Sequence, residues 1–140
     1  MSKMTMNEFR ISHSTLIDHY QHIEFYLKEI YAVVHGHEFC NGLEEVARHN
    51  LRRLLNEIKQ LDIQNELSLF SASDYERLFA ICERRNFWCH SCYVDMVFDK
   101  KTDSPKNDRD IDSLKKDLRE AEELRNMLFQ KKMNLRWPRR

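Results

Sequence analysis

Glycine and proline are scarce in this chain: its 140 residues contain two of each, Gly36, Gly42, Pro105 and Pro138. Tight hairpin turns, phosphate-binding loops and dinucleotide-binding turns all need glycine at fixed positions. Walker-type and Rossmann sites are therefore excluded, and a β-rich fold is disfavoured. Apolar residues instead recur at alternating steps of three and four, the period of a helix that packs along one face. The fold class we predict is all-α.

The apolar stripes and the few helix breakers predict four helices, at about residues 14–35, 43–61, 74–98 and 111–133. Both glycines fall in residues 36–42, which we interpret as the turn between the first two helices. Ser73 and Glu76 have the spacing of a capping box and mark the start of the third helix. Residues 99–110 are highly charged and predict an exposed loop. Four amphipathic helices with short connections predict an up-and-down four-helix bundle.

Two of the stripes are regular over their whole length. In the first helix the apolar positions are Leu16, Tyr20, Ile23, Leu27, Ile30 and Val34. In the fourth helix they are Ile111, Leu114, Leu118, Ala121, Leu124 and Leu128. Spacing of this kind predicts that these side chains face the core.

The length suits one domain with a single hydrophobic core. We assign residues 1–133 to that domain and residues 134–140 to a basic C-terminal tail. Residues 131–140 carry five positive charges, no acidic side chain and Trp137. This composition suits contact with an RNA backbone and equally suits a solvated end.

The charges of the chain balance, with 23 Lys and Arg against 23 Asp and Glu. No overall positive field attracts nucleic acid, so any binding of nucleic acid must be local. The N-terminus lacks the apolar stretch of a signal peptide, and no stretch approaches the roughly 18 apolar residues of a membrane-spanning helix. We predict a cytoplasmic protein without membrane contact and with reduced cysteines.

Arg85 interrupts the apolar stripe of the third predicted helix. The other members of that stripe are Tyr75, Leu78, Cys82, Cys89, Cys92 and Met96. A guanidinium group cannot shed its charge by losing a proton, so a position in a buried stripe predicts a negative partner. That partner is either a carboxylate of a neighbouring helix or a bound anion.

Arg85, Asn86 and His90 form the pattern Arg-Asn-x-x-x-His. The pattern resembles the Arg-x4-6-His motif of the HEPN superfamily (higher eukaryotes and prokaryotes nucleotide-binding), in which a polar residue commonly follows the arginine. Arg84 also satisfies the spacing. The resemblance covers six residues, and the helical fold, the size and the position of the motif agree with it. It implies a HEPN-like helical bundle, a homodimer and metal-independent ribonuclease activity.

The chemistry of these side chains follows from physical principles. Asn86 and His90 are four residues apart and share a face of an α-helix, so the amide can orient the imidazole. An imidazole transfers protons near neutral pH, and a guanidinium group stabilises the charge that develops on a phosphodiester. On RNA, attack by the ribose 2′-hydroxyl needs no metal and no cofactor. Because DNA lacks that hydroxyl, DNA would not be cleaved and is not an expected partner.

Arg85 and His90 diverge by roughly 140° on an ideal α-helix. Either the long Arg85 side chain reaches round the helix or a partner chain completes the site, and the geometry favours a site assembled at a dimer interface. We predict a homodimeric endoribonuclease in which Arg85 binds phosphate, His90 acts as general base or acid and Asn86 orients His90. The resemblance implies a role as a toxin or in phage defence, where an antitoxin protein can be a partner. The alternative is a non-catalytic helical module that binds a nucleotide or a protein.

Zinc is the competing interpretation, because Cys89 and Cys92 form a Cys-x-x-Cys pair around His90. A structural zinc site needs four converging ligands, usually from two separated pairs, and the sequence has no second pair. Buried thiols explain the cysteines more simply. We therefore predict no bound metal.

Overall fold

The computed structural model describes residues 4–35, 39–91, 98–99, 104–105 and 108–136, and the side chains of 4–35, 39–89 and 111–136. The described residues form five α-helices: α1 (Met6–Val34), α2 (Phe39–Val46), α3 (Leu51–Asn65), α4 (Ala72–Asn86) and α5 (Asp108–Arg136). A π-helical turn, Phe87–Ser91, continues α4. The short strands β1 (Phe98–Asp99) and β2 (Ser104–Pro105) pair antiparallel. The all-α class predicted from the sequence is confirmed.

The predicted apolar stripes of α1 and α5 form the centre of the core. Every member of the two stripes is buried except Val34 and Leu118, which are partly buried and pack against the others. Both helices extend beyond the predicted bounds. α1 begins at Met6, about eight residues before the predicted start, with Thr5 as its N-cap, and α5 includes residues 134–136 of the predicted tail. Among the described helices, none is long and apolar enough to cross a membrane.

α1 and α5 run parallel. Asp18 contacts Arg125 at 3.0 Å. Glu29, further along α1, contacts Lys132, further along α5, also at 3.0 Å. In a four-helix up-and-down bundle the first and last helices run antiparallel, so the arrangement differs from the predicted alternation of four helices.

The difference arises because the second predicted helix, residues 43–61, is two helices. Asn50 has extended backbone angles, with φ −72° and ψ 166°, and its side chain accepts a hydrogen bond from the Arg53 amide at 2.8 Å. This is the geometry of a helix N-cap, so a new helix begins after it. The apolar stripe alone gave no sign of the break at residues 47–50.

α2 packs closely on the end of α1. A Cβ added at Gly42 would lie 2.7 Å from the Cα of Ala32, so only glycine fits at this crossing. The predicted turn at residues 36–42 is therefore partly wrong, since residues 39–42 belong to α2. Residues 36–38 lie outside the described chain.

α4 begins two residues before the predicted capping box. Ser71, not Ser73, is the N-cap, and its hydroxyl accepts from the Asp74 amide at 3.1 Å. Phe70 and Tyr75 flank this cap with ring centroids 5.3 Å apart. A contact between the residue before the cap and the fourth helical residue is a hydrophobic staple. The staple explains why Ser71 is the start.

The end of the third predicted helix is also corrected. Regular α-helix ends at Asn86, and Phe98, which was predicted to be helical, lies in β1. Residues 92–97, including Cys92 and Met96, lie outside the described chain. α4 runs antiparallel to α5, since Arg77 contacts Glu120, and Arg84, further along α4, contacts Asp117, which comes earlier in α5.

Candidate functional site

Arg85 lies in the last turn of α4 and contacts α1. Its Nη2 donates to Glu24 Oε2 at 3.1 Å. The negative partner predicted for Arg85 is therefore present, and it is a carboxylate of a neighbouring helix. The Arg85 side chain is 29% exposed, so it is less buried than its place in the apolar stripe predicted. Glu24 also lies 3.6 Å from Lys28 Nζ and shares its charge between two cations.

Asn86 is exposed at the end of α4, and His90 lies in the π-helical turn. The His90 side chain falls outside the described ones, so its predicted contact with Asn86 stays a prediction. A π-helix has i→i+5 hydrogen bonds and winds more slowly than an α-helix. The angle of about 140° between Arg85 and His90 assumed α-helical winding, so it does not apply across this turn.

Asp117 of α5 joins the π-helical turn to the end of α4. Its Oδ2 accepts from Trp88 Nε1 at 2.7 Å and from Arg84 Nε at 2.6 Å. Trp88 is fully buried and the Asp117 side chain is 12% exposed, so little water competes for these bonds. Arg84 satisfies the motif spacing as Arg85 does, but Asp117 engages two nitrogens of Arg84. Glu24 engages one nitrogen of Arg85. Arg85 is therefore the arginine better placed to bind a ligand.

His13 of α1 also forms a hydrogen bond with the π-helical turn. Its Nε2 donates to the Trp88 carbonyl oxygen at 2.6 Å, which requires the proton on Nε2. A π-helical turn alters the pairing of nearby backbone carbonyl groups, and buried carbonyl groups need donors. Nothing in the sequence indicates that His13 and Asp117 contact Trp88, because both residues lie far from Trp88 in the chain.

A pocket of about 200 Å³ opens between the start of α3 and the end of α4. Its described lining residues are Asn50, Leu51, Arg52, Cys82, Arg85 and Asn86. Two of these are arginines and none is acidic. Burial raises the pKa of the Cys82 thiol, and the nearby charges of Arg52 and Arg85 partly offset that rise. Sequence reasoning missed Arg52 because nothing in the α3 stripe indicates which helix faces it.

The cysteines of the zinc interpretation lie in different surroundings. Cys82 is buried in the core, whereas Cys89 is exposed. Cys92 lies outside the described residues. Within the part of the chain that is described, no group of three or more His, Cys, Asp or Glu side chains could hold a metal ion.

A larger pocket of about 510 Å³ lies between α4 and α5. Its charged lining residues are Glu76, Arg77, Arg84, Lys116, Asp117 and Glu120. Acidic and basic side chains are equally represented, and both arginines pair with carboxylates within the pocket. The pocket between α3 and α4 is the more positive of the two.

Comparisons of the chain with protein-family models, with curated proteins and with solved structures found no significant match. The arrangement of Arg85, Asn86 and Arg52 around one pocket, together with the position of His90 in the following turn, is the basis for a functional proposal.

Proposed function

We propose that the protein is a metal-independent endoribonuclease of HEPN type. The observation that carries the proposal is the position of Arg85 at a positively charged pocket, where Glu24 engages it through one hydrogen bond. A guanidinium group has five N–H donors, so Arg85 can bind a phosphodiester while it keeps its contact with Glu24. The resemblance of the Arg-Asn-x-x-x-His pattern to HEPN proteins adds His90 as the group that transfers protons.

The proposed reaction is attack of a ribose 2′-hydroxyl on the neighbouring phosphorus. His90 accepts the 2′-hydroxyl proton as the bond between O2′ and phosphorus forms. Arg85 stabilises the negative charge that grows on the non-bridging oxygens. The bond from phosphorus to the 5′ oxygen breaks, and that oxygen receives a proton from the protonated His90. The products are a 2′,3′-cyclic phosphate and a 5′-hydroxyl end.

The proposal includes the finer features that the resemblance implies. α1, α3, α4 and α5 would be the four helices of a HEPN-like bundle, and α2 would be a short additional helix. The active form would be a cytoplasmic homodimer, with an antitoxin protein as a partner if the ribonuclease is a toxin. π-Helical turns occur frequently at functional sites, which supports the assignment of a role to the turn Phe87–Ser91.

The contact between Arg85 and Glu24 also favours a second candidate function. Glu24 satisfies the charge of Arg85 without any ligand, as expected if Arg85 only stabilises the bundle. The protein would then be a non-catalytic helical module that binds a nucleotide or another protein. RNA cleavage by the purified protein distinguishes the two candidates.

Cleavage of a mixed-sequence single-stranded RNA should fall by about a hundredfold or more in Arg85→Lys and in His90→Ala. Lysine retains the charge of Arg85 but loses the planar pair of donors that binds phosphate. Wild-type cleavage should persist in excess EDTA and leave 2′,3′-cyclic phosphate ends. Mass spectrometry of the products and gel quantification of the rates provide the measurements.

Arg119→Lys and His22→Ala are the matched controls. Arg119 is exposed on α5, and the contacts of His22 among the described residues are with Asp18 and Tyr26 of its own helix. Both should cleave at the wild-type rate. Circular dichroism of each variant separates loss of chemistry from loss of fold. Full activity of a folded His90→Ala protein would contradict the catalytic assignment, and an inactive wild type would favour the binding module.

A further inference from the structure

The pocket between α3 and α4 contains a second arginine that the proposed chemistry does not use. Arg52 lies in the first turn of α3, is exposed, and takes part in no ion pair among the described residues. The neighbouring Arg53 is also exposed, but it pairs with Glu57 at 3.2 Å and does not line the pocket. Arg52 therefore carries an unneutralised charge at the pocket wall.

The composition of the pocket wall favours an anion with several oxygen acceptors. Arg52 and Arg85 contribute guanidinium groups from two helices, and Asn86 contributes an amide. No carboxylate is among the described lining residues, unlike in the pocket between α4 and α5, where acids and bases balance. One guanidinium group can donate two parallel hydrogen bonds to two oxygens of a phosphate, so these side chains suit a phosphate group.

The size of the pocket indicates how much of a ligand it holds. Pockets that enclose a whole drug-sized molecule measure about 300–1,000 Å³. The volume here, about 200 Å³, suits one group of a longer molecule that continues outside the pocket. A phosphate within a polynucleotide chain fits this description better than a free nucleotide, whose base would need enclosure.

We propose that this pocket is a backbone subsite, in which Arg52 binds an RNA phosphate adjacent to the one that is cleaved at Arg85. The inference rests on the proposed function, because Arg85 is the residue that places the scissile phosphate at the edge of the pocket. Arg52 is a binding residue in this scheme and takes no part in bond cleavage. It directs the strand across the start of α3.

Binding of a fluorescent single-stranded RNA with 2′-O-methyl groups, which cannot be cleaved, tests the subsite. We expect Arg52→Gln to weaken the anisotropy-measured affinity by about tenfold at low salt, and to lower the slope of log affinity against log salt by about one. Arg53→Gln removes the same charge from the neighbouring position outside the pocket. It should change the affinity by less than about twofold, because Arg53 does not line the pocket and Glu57 already pairs with its charge.

Cleavage kinetics add an independent readout. Arg52→Gln should raise KM by about tenfold and leave kcat within about twofold, because a contact made equally in the ground and transition states affects only binding. Arg85→Lys should instead lower kcat. A fall in kcat of Arg52→Gln as large as that of Arg85→Lys would overturn the assignment of Arg52 to binding alone.

Three results would overturn the subsite: equal losses of affinity in Arg52→Gln and Arg53→Gln, no RNA binding by the wild type, or competition by a nucleoside 3′-monophosphate as strong as that of the oligonucleotide. The last would make the pocket a mononucleotide site. If the wild type binds RNA through Arg52 but cleaves none, the proposed ribonuclease fails and the subsite stands. If it cleaves and Arg52→Gln changes neither affinity nor KM, the subsite fails and the ribonuclease stands.

Discussion

Arg84 and Arg85 are adjacent in the chain, and their carboxylate partners give them different roles. Asp117 accepts from two nitrogens of Arg84 at 2.6 Å. Glu24 accepts from one nitrogen of Arg85 at 3.1 Å and also lies near a lysine. Arg84 therefore uses two of its planar N–H donors on a carboxylate within the protein. Arg85 uses one, and its other donors can bind a ligand. The sequence could predict the type of partner for Arg85, but not which helix supplies it.

His19 makes the stability of the protein depend on pH. Burial, followed by the nearby charge of Arg125, lowers the pKa of His19 below its ordinary value of 6.5. The unfolded chain therefore binds a proton at a pH where the folded chain does not, and the free energy of unfolding falls as the pH drops below about 6.5. We expect His19→Gln, which has no proton to bind, to lose this part of the pH dependence.

Urea denaturation of the wild type and of His19→Gln at pH 8 and pH 5 measures the effect. At pH 8 the imidazole is neutral in both states, so the difference between the two proteins gives the baseline. Glutamine can still accept the hydrogen bond that Arg125 donates to His19 Nδ1. The wild type should lose more stability than the variant on going to pH 5, and an equal loss in both would contradict the lowered pKa.

A helix could be predicted from the sequence where the spacing of its own apolar residues is enough to determine it. The stripes of α1 and α5 are such a case, because each apolar residue sits at regular helical spacing and is buried or packed against the core. The boundaries were less accurate where local signals compete: Ser71 and Ser73 both have an acidic residue three positions later, and only the packing of Phe70 on Tyr75 selects Ser71.

The π-helical turn could not be predicted because its contacts come from other helices. Trp88, in this turn, forms hydrogen bonds with His13 of α1 and with Asp117 of α5. We expect Asp117→Ala to cost about 2 kcal/mol of the free energy of unfolding, because it leaves the buried indole N–H of Trp88 without its acceptor. Arg84 is 42% exposed, so the loss of its ion pair with Asp117 adds little. Amide hydrogen exchange at Phe87–Ser91 should accelerate as well.

Arg77→Ala is the matched control for Asp117→Ala. Arg77 also joins α4 to α5, through Glu120 at 2.6 Å and Glu123 at 2.8 Å, but all three side chains are exposed to solvent by a third or more. Pairs of this kind contribute roughly 0.5–1 kcal/mol. Its removal should leave exchange at Phe87–Ser91 unchanged. If Arg77→Ala accelerates that exchange as much as Asp117→Ala does, the turn depends on the general contact of α4 with α5 and not on Asp117.

At the scale of the whole molecule, the candidate site is assembled from four helices. α4 carries Arg85 and Asn86, α1 supplies Glu24, α3 supplies Arg52 and α5 supplies Asp117. The sequence could predict the α4 portion because those residues form one short pattern. The other contributions depend on how the helices pack, and a helix stripe does not encode which helix it will face.

Complementation between two inactive variants tests directly whether each site combines residues of two chains. If each site is shared between two chains, as proposed, Arg85 of one chain acts together with His90 of the other. A heterodimer of Arg85→Lys with His90→Ala would then contain one site with both changes and one with neither. Purified through two different tags, it should recover about half of the wild-type rate, although each parent alone is nearly inactive.

Light scattering first establishes the assembly: the wild type should have twice the chain mass of 17.1 kDa at tens of micromolar. A monomer at that concentration would overturn the dimer. A dimer whose heterodimeric form stays as inactive as its parents would show that both groups act within one chain. That result would agree with the slower winding of the π-helical turn, which removes the reason to expect Arg85 and His90 of one chain to diverge by the ideal α-helical angle.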